Sequence, residues 1–173
     1  MIRNAVWLLG FASLIFAQRA DFRVGPVVAA PGKSASGMIP IAKGVDAGTE
    51  VPVTVVHGAQ PGPVLALIAG NHGYEYTPIL ALQQLKPLLN PQAIRGTVIL
   101  VHIANMPSFL GRTIYFSPVD NKSLNRLYPG NPDGTVSERI AHAITKEVIE
   151  KSDVVFDLHC GDGNESLRPY VYQ

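Results

Sequence analysis

His72 and Glu75 stand three residues apart, just beyond the apolar run Val64-Leu-Ala-Leu-Ile-Ala69, and His159 ends a second run, Asp153-Val-Val-Phe-Asp-Leu158. Alone, a His-x-x-Glu spacing is a weak signal, and an ordinary turn after a strand is the better reading of it. The second histidine, also at the end of an apolar strand, changes the balance. Two imidazoles and one carboxylate make the open three-ligand set of a catalytic zinc, with a fourth position left for water or substrate, whereas structural zinc usually closes with four ligands rich in Cys. The chemistry this set suits is hydrolysis by metal-activated water. Cys160 follows His159 directly, but the next position on an extended strand faces the other way, so it reads as a small residue beside the site.

Those three side chains need a frame that brings residues 72 and 159 together. From Val51 the pattern is regular, with a strand over 51–56, a turn at Gln60-Pro-Gly-Pro63 and a strand over 64–69. A helix follows from about Thr77 to Leu89, with Thr77 as its cap and Pro78 in its first turn. The Asn90-Pro91 break leads to a strand over 97–103 and then a polar segment, 105–135, with little periodicity; a loop of that length in a compact domain is usually functional. Ser137-Glu138 and the spacing of Ile140, Ala141, Ile144 and Val148 predict a second helix, closed by Lys151-Ser152. Apolar strands alternating with helices predict an α/β fold, a mixed and mostly parallel sheet flanked by helices, with antiparallel pairs near the start. In such sheets ligands collect at the carboxyl ends of strands, where His72 and His159 both fall. Residues 21–50, rich in Gly, Pro, Ala and Ser, read as a lead-in with one edge strand near Met38–Ala42.

The 173 residues, 47% hydrophobic and 16% charged, suit one domain with a real core and argue against disorder. A net charge of +1, with no basic run, excludes the electrostatic footprint of a nucleic-acid partner. Residues 1–20 read as a signal peptide: Arg3 gives the positive start and Ala5–Ala17 an apolar stretch too short to span a bilayer comfortably. Cleavage after Ala17 or Ala20 leaves Ile15 or Gln18 at the −3 position, so the sequence fixes neither site, and an uncleaved anchor is the alternative. The expected location is therefore secreted or periplasmic, with no stable membrane insertion once the signal is removed. With Cys160 alone no internal disulfide can form.

Four blocks, Gly70-Asn-His-Gly-Tyr-Glu75, Asn105-Met-Pro-Ser-Phe-Leu-Gly-Arg112, Pro118-Val-Asp-Asn-Lys-Ser-Leu-Asn-Arg-Leu-Tyr-Pro-Gly130 and Asp157-Leu-His159, together resemble the succinylglutamate desuccinylase/aspartoacylase family of zinc-carboxypeptidase-like hydrolases. The resemblance implies that His72, Glu75 and His159 bind one zinc ion, that Asn125 and Arg126 grip a substrate carboxylate, and that Arg112 polarises the scissile carbonyl. Elementary chemistry agrees, since an arginine fork matches a carboxylate in two hydrogen bonds and a cation near a carbonyl oxygen stabilises the charge that develops as water attacks. Without the flanking blocks, Asn125-Arg126 reads as a loop cap with a surface ion pair. The expected substrate is a small N-acylated, carboxylate-bearing molecule; a carboxypeptidase acting on short or cell-wall peptides is the alternative within enzymes.

The family places its proton-transfer glutamate on a strand after the third ligand, and Glu165, the one glutamate beyond His159, does not match that position. The chain is thus expected to be C-terminally truncated, residues 21–173 forming the N-terminal part of a catalytic domain. A binding remnant without catalysis is the alternative of another class. Asp157, two residues before His159, shares its face of the strand and is either an acceptor for a ligand imidazole or an acid paired elsewhere. His57, His102 and His142 read as structural, Tyr128 and Pro129 as packing, and Asp120 and Asn105 as residues ordering the loop around Arg112.

Overall fold

Which residues of each strand alternate between apolar and polar decides how the sheet is covered. The computed structural model describes residues 19–162 and 165–172; the leader assigned to residues 1–20 lies, apart from Arg19 and Ala20, outside the described residues. A short antiparallel hairpin, β1 (Phe22–Val24) and β2 (Val27–Ala29), precedes a five-stranded sheet of β3 (Lys33–Ile41), β4 (Thr49–His57), β5 (Gln60–Ala69), β6 (Arg95–Val101) and β7 (Val154–Leu158). The spatial order is β3-β4-β6-β5-β7. β5 runs parallel to both β6 and β7, while β3–β4 and β4–β6 are antiparallel, so four of the five strands share a direction and the reversed one belongs to the early part of the chain.

Period-two alternation splits the core into two layers. Val51, Val53 and Val55 of β4, Ala66 and Ile68 of β5, and Ile99 and Val101 of β6 face one way, under α3 (Val136–Glu147) and the β1–β2 hairpin. Ala69 and Leu100 face the other way, under Ile79 and Leu82 of α1 (Tyr76–Leu85). The α3 stripe Val136, Ile140, Ala141, Ile144 has helical spacing and is at most 1% exposed. Thr135 and Glu138 close a capping box at its start, with the Thr135 N–H donating to Glu138 Oε2 at 2.9 Å.

The polar segment 105–135 is not structureless. It opens with a short helix, α2 (Met106–Gly111), capped by Asn105, whose side chain accepts from Ser108 N–H at 3.2 Å. A 3-10 turn, Leu124–Arg126, follows, pinned by the fully buried Leu124. Asp120 takes the Ser137 N–H at 2.9 Å and the Ser137 hydroxyl at 2.8 Å, which ties the loop to the first turn of α3 and fulfils the ordering role expected of it.

Arg19 and Ala20 are part of the fold. The Arg19 guanidinium donates to the carbonyls of Gly58, Gln60 and Gly96, and the buried His57 bridges Thr97 Oγ1 at 2.8 Å and Ala20 O at 3.0 Å. Burial lowers the His57 pKa, which suits a neutral structural imidazole.

Candidate metal centre

The site forms where the parallel strands end. After β5, Gly70 takes a left-handed turn (φ +74°) that swings the chain back across the top of the sheet, and Glu75 stands at the N-cap position of α1. Gly73 passes so close to α2 that a Cβ there would fall inside the backbone of Ser108 and Phe109. The glycines of the Gly70–Glu75 block thus have steric work, and they bring His72 and Glu75 over the end of β7, where His159 follows directly.

One donor atom from each of His72, Glu75 and His159 lies within 4.8 Å of the others. His72 Nδ1 stands 2.7 Å from Glu75 Oε1 and His159 Nδ1 2.9 Å from Glu75 Oε2, so both imidazoles turn the same nitrogen toward the carboxylate. The Glu75 side chain is 6% exposed, His72 12% and His159 31%, so the group is sunk at its base and reachable through His159. Burial pushes the Glu75 carboxyl up, but hydrogen bonds to His159 and His72 outweigh it and bring its pKa down to about 2. Bonds to Asp157 and Glu75 carry the His159 imidazole up to about 10. Two imidazole nitrogens and a carboxylate, each residue placing a donor atom within 4.8 Å of the others, fit a divalent metal of the zinc type.

The residues around this group answer the open question about Asp157. His159 Nε2 lies 2.8 Å from Asp157 Oδ2, and Asp157 Oδ1 accepts from Asn71 Nδ2 at 2.8 Å. The Tyr128 hydroxyl donates to Asn71 Oδ1 at 2.8 Å. Asp157 is therefore an acceptor for the His159 imidazole, and Tyr128, expected only to pack, takes part in a polar chain. Tyr115 sets its ring edge-on to His72, with centroids 5.0 Å apart, and donates its hydroxyl to Asp162. Sequence reasoning missed Asn71, Tyr115 and Asp162; the signal for Asn71 was its place inside the Gly-Asn-His-Gly block. Asn105 donates to Asn71 O at 3.4 Å and so touches the site from below.

The arginines are placed differently. Arg126 is exposed on the 3-10 turn and reaches only the Asn125 carbonyl, at 3.3 Å, which leaves most of its fork unspent among the described residues. Arg112 follows α2 in a left-handed conformation (φ 52°) and lines a cleft of about 470 Å³ between α1 and α2 with Tyr76, Leu80 and Phe109. No hydrogen bond joins it to the His-Glu-His group, whose three side chains are not among those lining that cleft. His57 and His102 stay away from the group: His102 Nε2 bonds Thr54 Oγ1 at 2.8 Å. Cys160 contributes its backbone N–H to Glu75 Oε2 at 3.2 Å, while its thiol turns to Gly161 O.

The open α/β sheet carries a two-histidine, one-carboxylate group at the carboxyl ends of its parallel strands, a donor set able to hold a metal ion. The profile of the succinylglutamate desuccinylase/aspartoacylase catalytic domain matches residues 61–172, and the chain belongs to that family, whose members hydrolyse amide bonds. It is 43% identical over 122 residues to the N-alpha-acetyl-L-2,4-diaminobutyric acid deacetylase of Halomonas elongata, a match covering 70% of this chain and 35% of that protein. Among solved structures, an aspartoacylase family protein from Mesorhizobium loti superposes with a TM-score of 0.69 at 36% identity, over 75% of this chain and 41% of that one. The product-bound ectoine utilization protein EutE (DoeB) of Ruegeria pomeroyi gives 0.64 at 32% identity, over 74% and 39%. The chain thus spans well under half the length of these relatives. Among the described residues no helix is long and apolar enough to cross a membrane.

Proposed function

We propose that this chain is the metal-binding and carboxylate-binding part of a zinc-dependent amide hydrolase that removes an acyl group from a small N-acylated, amino-acid-like substrate. The observation that carries the reading is the clustering of His72, Glu75 and His159, one donor atom from each within 4.8 Å of the others, with both Nδ1 atoms turned to the Glu75 carboxylate. Bound there, zinc would lower the pKa of its water from 15.7 towards ~7 and so supply a nucleophile at neutral pH. The chain's own residues hold and polarise the substrate. Arg126, with unspent donors, takes the substrate carboxylate as a two-pronged fork, with Asn125 beside it, and so fixes which end of the substrate points at the metal. Arg112 supplies the cation for the developing oxyanion, which requires its side chain to turn from the α1–α2 cleft toward the site when substrate is bound. The deacetylase name of the Halomonas relative supports a short acyl group on a small diamino acid.

The proton-transfer glutamate of this reaction is proposed to come from outside residues 1–173, in keeping with the greater length of the relatives. Glu165 is exposed, and its place in the chain does not match that role. Export to the periplasm or the medium is part of the reading and rests on the leader-like residues that precede Arg19.

Elemental analysis of the purified chain tests the centre. About one zinc per chain in the wild type, and none in His159→Ala, is the expected result. A folded wild-type chain that takes up no zinc from a stoichiometric supply sinks the reading. Release of acetate from an N-acetylated diamino acid by the longer protein, absent in the same variant, would extend it to catalysis.

A further inference from the structure

We propose that Asn71 and Tyr128 are positioning residues for the metal group, acting together through Asp157 to set which nitrogen His159 presents. The inference rests on the metal reading above and deepens it.

The direction of each bond in the chain Tyr128, Asn71, Asp157, His159 follows from donor chemistry alone. An ionised carboxylate only accepts, so the Asn71 atom facing Asp157 Oδ1 at 2.8 Å must be the NH2 group. That leaves Asn71 Oδ1 facing Tyr128, and an amide oxygen needs a donor, so the phenol proton points at it across 2.8 Å. The other Asp157 oxygen faces His159 Nε2 at 2.8 Å and again only accepts, which requires the proton on Nε2. In the neutral ring the lone pair is then on Nδ1, the nitrogen that stands 2.9 Å from Glu75. Each partner removes one freedom: the phenol stops the amide from flipping, the amide stops the carboxylate from rotating, and the carboxylate fixes the imidazole tautomer.

Placement argues for more than incidental satisfaction of polar groups. Asn71 is 2% exposed, whereas the Asp157 side chain is 34% exposed and would be free to turn toward water without a buried tether. The three residues come from separate segments: the turn after β5, the long loop, and the last strand. Tyr128 lies two residues beyond Arg126, so the same chain of bonds ties the carboxylate-gripping segment to a metal ligand.

The test is zinc affinity of the purified chain, measured by competition with a chelator, for wild type, Asn71→Ala and Tyr128→Phe, with melting of each metal-free chain recorded in parallel. Tyr128→Phe keeps the ring and deletes one oxygen, so it remains informative where Asn71→Ala fails to fold. A 10- to 100-fold weaker zinc dissociation constant, with the metal-free melting point of Tyr128→Phe within a few degrees of wild type, is expected. In the zinc-loaded wild type the His159 Nε2 proton should be protected from exchange by NMR, and that protection should be lost in both variants. Unchanged zinc affinity in Tyr128→Phe overturns the proposal, whatever happens to the melting point. Failure of the wild type itself to bind zinc is a different result, and it strikes the proposed function first.

Discussion

Arg139, on α3, donates to Asp46 across 2.7 Å, and both side chains are largely withdrawn from water, at 8% and 20% exposed. The same guanidinium donates to the carbonyls of Ala42, Gly134 and Ala47, and Asp46 Oδ2 takes the Val136 N–H at the start of the helix. One arginine thus closes the β3–β4 connection onto α3. Removing one partner of such a pair leaves the other charge buried without its counter-charge, which costs about 3–5 kcal/mol. Arg139→Ala is expected to lower unfolding free energy in urea by that order, and Arg139→Lys by less, since an ammonium retains the charge but not the fork. A loss below about 1 kcal/mol for Arg139→Ala would show the pair to be dispensable.

Glu75 and His159 give the metal-free chain a defined pH window. The Glu75 carboxyl is drawn from 4.5 down to about 2, so its contribution is complete above 4.5 and disappears as pH falls through about 2. The His159 imidazole is raised from 6.5 to about 10, so its contribution is complete below 6.5 and disappears as pH rises through about 10. Both are whole only between pH 4.5 and 6.5, and the urea midpoint of the chelator-treated protein should be highest there. A metal must displace the His159 proton to reach Nδ1, so zinc added at pH 8 should release about one proton per chain from that residue. Calorimetry in two buffers of different ionisation enthalpy reads this number directly; no difference between buffers would contradict it.

Gly73 is the position where the metal loop has no room to spare. A methyl group there meets the backbone of Ser108 and Phe109 rather than a side chain that could step aside. Either α2 retreats or the His72–Glu75 turn opens. Gly73→Ala is expected to cost about 1–3 kcal/mol of stability and to weaken zinc binding in the same variant. A variant that melts lower but binds zinc as tightly as wild type would place the strain on α2 alone.

Much of the frame was readable because periodicity reports burial. The α3 stripe and the alternation in β4 were plain, and the strand ends led to His72 and His159. Where the sequence misled, chemistry had overruled local preference. Thr77 looked like the cap of α1, yet the helix begins at Tyr76 behind Glu75, whose carboxylate gives no cap bond because it is committed to two histidines. The helix was read through to Leu89 but ends at Leu85, and the chain tightens into a 3-10 turn around Pro87. Gln60-Pro-Gly-Pro63 looked like a turn and is instead the irregular start of β5, paired beside β6. The β1 and β2 strands, three residues each, are too short to show a period. The Asn71–Tyr128 bond joins residues 57 apart in sequence and could not be read from spacing. The start of α2 was readable in principle, since Asn105 caps it and Pro107 sits in its first turn.

Arg126 and Arg112 should separate in kinetics on the longer hydrolase proposed to contain this chain. Among the described residues Arg126 leaves most of its donors unspent on a turn anchored by Leu124, a placement suited to holding a carboxylate equally in ground and transition states. Arg126→Ala should therefore raise KM for a carboxylate-bearing substrate by roughly 10- to 100-fold with little change in kcat, whereas Arg112→Ala should lower kcat, because in the proposed mechanism its cation is needed only as the oxyanion forms. A substrate whose carboxylate is replaced by an uncharged amide provides the control. Wild type and Arg126→Ala should process it with similar kcat/KM, since the fork has nothing to grip. An equal penalty for Arg126→Ala on both substrates would assign the residue to shaping the loop, and carboxylate recognition would then have to come from elsewhere in the protein.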